Sequence, residues 1–404
     1  MNRRLGLGAA LAGCLAALPL AADAQGQFEV KLGVLNDQSG PYSVSGGQGV
    51  VIAARMAVED FGGSVLGRPV EIVFADNQNK PDIGAGIARK WIDEDGVLAI
   101  VDGGSSSAGM AIQEVTRQKN TIFLIIGSAT TDLIDKACSP VGFQWVYDAY
   151  ALGTSAAREM VKEGGKSWFF ITADYIFGHS LAAAAMREVK ADGGTVIGEV
   201  RHPFNTPDFS SFILQAQTSK AQVVALATGG GDMANAIKTS AEFGVVKGGQ
   251  KIAALLMYDD DVKAVGLAIM QGLVIPTPFY WDESPEAHAW SEKFMARMNG
   301  KAPTMIQAGG YGAVAHYLKA VKAAGTADAA AVAAEMRKTP INDFFSENVK
   351  IREDGHVMRP MHLFQIKSPA ESKGPWDIYK PVGTVAADQV AFPVAESQCP
   401  LLKR

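Results

Sequence analysis

From Val30 onward, short apolar runs alternate with segments whose apolar residues recur every three or four positions. VKLGVL reads as a strand; GVVIAARMAVEDF has helical spacing and stops at Gly62-Gly63. PVEIVFAD is the next strand. PDIGAGIARKWIDEDG is the next helix, with Pro81 suited to its first turn and Gly96 to its end. VLAIVDG and TIFLIIGS follow as strands, with a helix around MAIQEVTRQ between them. Such alternation predicts βαβ units and a parallel sheet whose strands are apolar throughout because both faces are covered.

After FQWVYDAY (Phe143 to Tyr150) the pattern begins again. SWFFITAD, TVIGEVRH, AQVVALAT and KIAALLMYD predict strands. YALGTSAAREMVKEGG, GHSLAAAAMREVKADGG, FSSFILQAQTSK and DMANAIKTSAEFG predict helices. GLVIPTPFYW adds a strand, and three helical stretches follow at SPEAHAWSEKFMARMNG, MIQAGGYGAVAHYLKAVKAAG and AAAVAAEMRKTP. VKIREDGHV and MHLFQIK look like hairpin runs, with WDIYKPVGTV last. No long linker or short repeat intervenes, so the expectation is two similar α/β lobes set closely together. A chain of 404 residues is long enough for two or three domains, and Gly 43 against 8% aromatics suits many tight strand-to-helix turns.

The first residues set the compartment. MNRR, an apolar run and Ala22-Asp23-Ala24 form a secretory signal, predicting a mature start at Gln25. Leu11-Ala12-Gly13-Cys14 resembles a lipobox, but the run stays apolar past Cys14, so simple secretion is expected rather than a lipid anchor. Nothing later has the unbroken apolar length of a membrane span. Removing Arg3, Arg4 and Asp23 with residues 1–24 takes the net charge from −5 to −6. With no basic block, nucleic-acid binding is not expected. Cys138 and Cys399 are the two cysteines left, and an exported chain normally pairs them.

The chemistry is mostly negative. There is no phosphate loop, no G-x-G-x-x-G after the first strand, no nucleophile elbow and no metal-ligand spacing, so neither a cofactor nor catalysis is expected. Asp259-Asp260-Asp261 is too tight for a calcium loop and reads as an acidic strand end facing a cleft or solvent. The informative stretches all follow strands: GPYSVSGG, GGSSSAG and GSATTD in the first series, ADYIFGHS, TGGGD and MYDDD in the second. Ligands of open α/β sheets bind off the carboxyl ends of strands. One side is rich in hydroxyls and the other in aromatics and acids, which suits a small amphiphile with a carboxylate at one end. GGSSSAG alone reads equally well as a helix cap with spare serines.

SGPYSVSGGQ, GGSSSAG, GSATTD, ADYIFG and PDFSSF, in this order, resemble the type I periplasmic solute-binding proteins of ABC importers, in the branch around the leucine/isoleucine/valine-binding protein. Members with Cys138-Ser139-Pro140 and Cys399-Pro400-Leu401 at these places are most similar. The resemblance implies an α/β fold of two doubly wound, Rossmann-like lobes joined by three crossovers that close on ligand. It puts lobe one at 28–147 plus 279–345, lobe two at 148–278 plus 346–390, and a tail at 391–404. It implies a monomer without cofactor that captures a small carboxylate-bearing solute and delivers it to an inner-membrane permease.

By the same resemblance Ser105, with Ser106 beside it, meets the ligand carboxylate. Ser128, Ala129 and Thr130 supply backbone groups and a hydroxyl. The second lobe's tyrosine loop falls at Phe177 with Tyr175, and an acid for an α-ammonium falls at Asp259 or Asp260, with Asp174 as another acceptor. Tyr42, Tyr147 and Tyr150 offer flat walls; Ser45, Tyr258, Gly229 and Gly230 complete the expected site. Phe in place of Tyr at 177, and glycines at 229–230, leave room for a larger apolar body. That tips the expected ligand toward an aromatic acid, with branched-chain or hydrophobic amino acids as the alternative. A secreted hydrolase or oxidoreductase would need a nucleophile or cofactor loop that is missing; a receptor that presents its ligand to a sensor stays open.

Overall fold

The computed structural model describes residues 30–402, so the signal segment and the Cys14 motif lie outside the described residues. The first series forms β1 (Val30–Asn36), α1 (Gly47–Phe61), β2 (Ser64–Val65), β3 (Arg68–Asp76), α2 (Pro81–Asp93), β4 (Val97–Asp102), α3 (Ser106–Gln118), β5 (Ile122–Ile125) and β6 (Gly142–Gln144). The sheet order is β2-β3-β1-β4-β5-β6, parallel except for the short β2–β3 pair. The chain leaves β1 toward β3 and returns to β4 on its other side. The strand order therefore reverses between β1 and β4, where such sheets open a crevice. Register aligns Asn36 with Asp76 and Leu35 with Asp102, so three polar side chains end at one edge of that crevice.

The second series repeats the plan with α4 (Ala149–Lys162), β7 (Ser167–Ala173), α5 (Ile176–Ala191), β8 (Thr195–His202), α6 (Ser210–Thr218), β9 (Val223–Ala227), α7 (Gly231–Glu242) and β10 (Lys251–Ala254). Its order β8-β7-β9-β10 is wholly parallel and reverses between β7 and β9. The central strands β7 and β9 are almost entirely buried, whereas edge strand β8 alternates exposed Glu199 and Arg201 with covered residues. The predicted strand KIAALLMYD stops at Ala254 because Asp259 to Val265 turn into α8, followed by α9 (Leu267–Met270).

The chain then runs through β11 (Val274–Thr277), α10 (Pro285–Arg297), α11 (Met305–Ala324), α12 (Ala329–Lys338), the hairpin β12 (Ile341–Asp343) and β13 (Ser346–Val349), β14 (Met361–Ile366) and β15 (Tyr379–Val385). Helix α11 lies along α1 in the first lobe, close enough that a Cβ on Gly310 would stand 2.9 Å from Val50. Phe344 of the hairpin stacks on Trp290 of α10 at 4.1 Å. Strands β11-β14-β15 form an antiparallel sheet that borders the second lobe through β10 and α4. VKIREDGHV is not a regular hairpin. Buried Asp354 takes the Arg352 guanidinium and the His356 N–H, coiling the segment into a turn with two isolated bridges, Gln144–His356 and Ile351–Val357.

Cys138 and Cys399 are joined, with Cα atoms 5.7 Å apart. Around that bond, Ser397 Oγ and the Gln398 N–H donate to Asp135 at 3.1 and 2.5 Å. The same tail reaches the other lobe: Glu396 accepts both Arg187 nitrogens of α5 at 2.5 and 2.7 Å, and Phe392 meets Tyr150 of α4 edge-on at 5.3 Å.

Candidate ligand-binding cleft

The carboxyl ends of β1, β4 and β5 face the loops after β7 and β10 across a narrow cleft. Its first wall begins with Asp37. That carboxylate accepts the N–H groups of Ser39 (3.2 Å), Gly40 (2.6 Å) and Tyr42 (2.8 Å) and the Asn79 amide (2.6 Å). An Asp at the start of a turn competes for local backbone donors in this way, and here it stiffens GPYSVSGG so that Tyr42 and Ser45 face the cleft.

GGSSSAG is built by the same means. A Cβ on Gly103, at φ +101°, would fall 2.8 Å from the Phe123 ring and 2.9 Å from Ser128 Oγ, so only glycine fits. Ser105 caps α3, its hydroxyl 3.5 Å from the Ala108 N–H, while its own N–H donates to Asn79 Oδ1 at 3.0 Å. Ser106 Oγ accepts the N–H groups of both Ala129 and Thr130 at 3.0 Å. Ser128 Oγ donates back to the carbonyls of Gly104 and Ser105 at 3.0 and 3.1 Å. The loop after β5 is thus stitched to the loop after β4. Ser105 and Ser106 line the cleft; Ser128, Ala129 and Thr130 are buried behind it, with Gly127 in front.

The second wall is made of rings. Tyr175 precedes α5, Phe177 sits in its first turn, and Leu256 and Tyr258 lie between β10 and α8. Two hydroxyl pairs join the walls: Tyr42 to Tyr175 at 2.5 Å, and Tyr147 to Tyr258 at 2.9 Å. Phe204 packs on Tyr42 and Tyr175 at 5.7 and 5.1 Å. The lobes are therefore closed on each other. Burial pushes all four of these tyrosines above the usual phenol range, so they act as neutral hydroxyls.

Several expected site residues lie elsewhere. Gly229 and Gly230 leave no spare room: a Cβ on Gly230 would meet the Pro41 carbonyl at 2.9 Å and the Tyr42 ring at 3.0 Å, and one on Gly229 would meet Leu256 at 2.9 Å. These glycines let the second lobe abut the first. Tyr150 faces Phe392 and Arg187 on the tail side. Asp174 is exposed and pairs with His179 at 2.9 Å. Asp259 is buried near Tyr379, its carboxyl pushed up to about 8 chiefly by burial. Asp260 pairs with Lys301 at 3.5 Å, and Asp261 accepts the Tyr258 N–H at 3.0 Å. The three acids form the first turn of a helix, which points them in different directions instead of into a cleft.

Asn36, Asp37, Gly46, Gly47, Asp102, Gly104, Gly127, Leu256 and Ile306 line the cleft without having been expected there. The signal for Asp37 and Asp102 was available, since Asp102 ends the apolar run of β4 and Asp37 directly follows β1. The cleft lining includes these two carboxyls and no Lys, Arg or His. Asp102 is raised from its ordinary value, burial outweighing the hydrogen bonds it accepts. Among the described residues no His, Cys, Asp and Glu grouping could hold a metal ion, and no helix is long and apolar enough to cross a membrane.

Residues 29–375 match the model of the family described as periplasmic binding protein. The chain is 26% identical over 333 residues to Leu/Ile/Val-binding protein homolog 6 of Brucella melitensis biotype 1, covering 80% of this chain and 84% of that one. It superposes on a periplasmic binding protein from Burkholderia mallei with a TM-score of 0.90 at 44% identity, over 94% of this chain and 100% of the other. A branched chain amino acid ABC transporter periplasmic ligand-binding protein from Burkholderia xenovorans LB400 gives 0.84 at 38% identity, over 93% and 100%. Two lobes of one topology closed over a cleft, and these likenesses across nearly the full chain, carry one conclusion: the chain belongs to the periplasmic binding protein family of ABC transporters, which bind small solutes without transforming them.

Proposed function

We propose that this protein is the solute-capturing component of an ABC importer, and that its solute is an α-amino acid with an apolar side chain. The observation that carries the ligand class is the composition of the cleft. The first-turn N–H groups of α3, at the end that Ser105 caps, offer donors for a carboxylate, the buried acid Asp102 offers an acceptor for an ammonium, and Tyr175, Phe177, Leu256, Tyr258 and Ile306 offer apolar surface. A simple anion would meet two carboxyls there and no cation. The relative from Burkholderia xenovorans, named for branched-chain amino acids, supports the same reading. Delivery to an inner-membrane permease, work as a monomer and export through the N-terminal signal belong to this proposal.

Flat ring walls favour a second reading, an aromatic carboxylate, in which neutral Asp102 donates a hydrogen bond. Calorimetry separates the two. Leucine, isoleucine, valine or phenylalanine should bind well below millimolar and benzoate and cinnamate should give no heat; the reverse pattern would establish the aromatic acid and end the amino-acid reading.

A further inference from the structure

Asp102 ends β4 with φ +87°, a left-handed backbone in which a non-glycine residue is strained, and it stands next to two glycines that could have taken that conformation freely. Its side chain is only 2% exposed, yet it borders the cleft. Oδ2 accepts from the Asn36 amide at 2.7 Å, and Oδ1 from the Gly127 N–H at 2.8 Å and, more weakly, the Gly104 N–H at 3.4 Å. A carboxylate has about four acceptor directions, so one remains. Gly46 keeps the approach to Oδ2 clear: even a Cβ there would stand 3.6 Å from that oxygen. No cationic side chain on the cleft wall compensates the acid, and a buried carboxylate without a charged partner is costly. Strain, burial and an unfilled acceptor site thus meet on one carboxyl at the floor of the cleft.

We infer that Asp102 is the specificity-determining acceptor for the ligand's ammonium group, so that the first lobe alone grips both polar ends of the solute. This rests on the amino-acid reading above. It moves the ammonium acceptor from the second lobe, where Asp174, Asp259 and Asp260 all have other partners, to the strand-order reversal beside β1. The second lobe then contributes apolar surface and closure. Ligand would dock in the open first lobe with its charges already satisfied, and lobe closure would select on the shape of the side chain.

The test compares leucine with 4-methylpentanoate, which is leucine without its amino group, on wild type and Asp102→Asn by calorimetry. Wild type should prefer leucine by roughly 30-fold or more, the size of a charge-assisted hydrogen bond. In Asp102→Asn that preference should shrink to a few-fold, because the amide still fits the pocket but no longer carries the charge. A purely structural Asp102 would weaken both ligands alike and leave the ratio unchanged, which would overturn the inference. Should the variant not fold, a crystal structure of wild type with leucine decides: the ammonium about 3 Å from the Asp102 carboxylate supports the assignment, and an ammonium held elsewhere overturns it. If wild type binds no amino acid but takes an aromatic acid, the ligand class itself has failed and this assignment falls with it.

Discussion

The two walls of the cleft are built on different principles. In the first lobe almost every polar group at the strand ends is engaged with a neighbouring loop: Asp37 holds four donors, Ser106 holds two, Ser128 serves two carbonyls and Asp102 ties three loops. In the second lobe the matching loops present rings. Tyr175, Gly230 and Phe209 precede their helices without a side-chain cap, and the contacts with the first lobe include two phenol pairs, Phe204 on Tyr42 and the packing around Gly230. Polar networks that are fully satisfied specify one geometry, whereas ring surfaces tolerate small shifts. On the amino-acid reading, the difference would separate a pre-shaped socket for charge from a face that meets the apolar body.

That contrast can be broken at its strongest point. Asp37→Ala leaves three N–H groups and an amide near the cleft without their acceptor, and should destabilise the protein by about 3 kcal/mol. Chemical denaturation checks this; a loss below about 0.5 kcal/mol would mean that the socket is held by something else.

A milder test uses a second-lobe loop that is held by an acid. Asp232 accepts the N–H groups of Asn205 and Thr206 at 2.9 and 2.8 Å, which carries Phe204 onto Tyr42 and Tyr175. Burial raises its carboxyl to about 6 despite those bonds. The folded protein therefore holds the proton more tightly than the unfolded chain, whose carboxyl titrates near 4. Stability from this group is fully present below about 4 and is lost as pH rises to about 6, by about 2 kcal/mol at most. Thermal melts from pH 4 to 7 should include this decline, and Asp232→Asn should remove its share; equal slopes in both proteins would refute it.

The smallest effect is expected at the seam. Tyr42→Phe removes one hydroxyl of the Tyr42–Tyr175 pair, which exists only with the lobes together. It should cost about 1 kcal/mol of ligand affinity and leave unliganded stability nearly unchanged. A matching loss of stability without ligand would place the pair in the fold rather than in closure.

The alternation of apolar runs and helical spacing made both parallel sheets legible, because strands covered on two faces need long apolar runs and little else. The cleft loops were legible too, at the strand ends. Their atomic roles were not. Ser128 and Thr130 follow a strand as Tyr42 does, but Ser106 and Gly104 turn them inward, and those partners lie more than twenty residues away in the chain. Gly229 and Gly230 look like spare room until Pro41 and Leu256 fill it. Asp259 to Asp261 look like one acidic patch until a helix turn gives each its own partner. Local pattern predicts where a loop stands; long-range contacts decide which of its groups remain free.

The last residues of the chain have a mechanical consequence. They are sewn covalently to the first lobe at Cys138 and clasp the second through Arg187 and Tyr150. A two-jawed clamp with such a drawstring across its flank cannot gape beyond the slack in the string unless the clasp lets go. On this geometry a guanidinium–carboxylate pair outside the cleft lining would help to limit how far the jaws part.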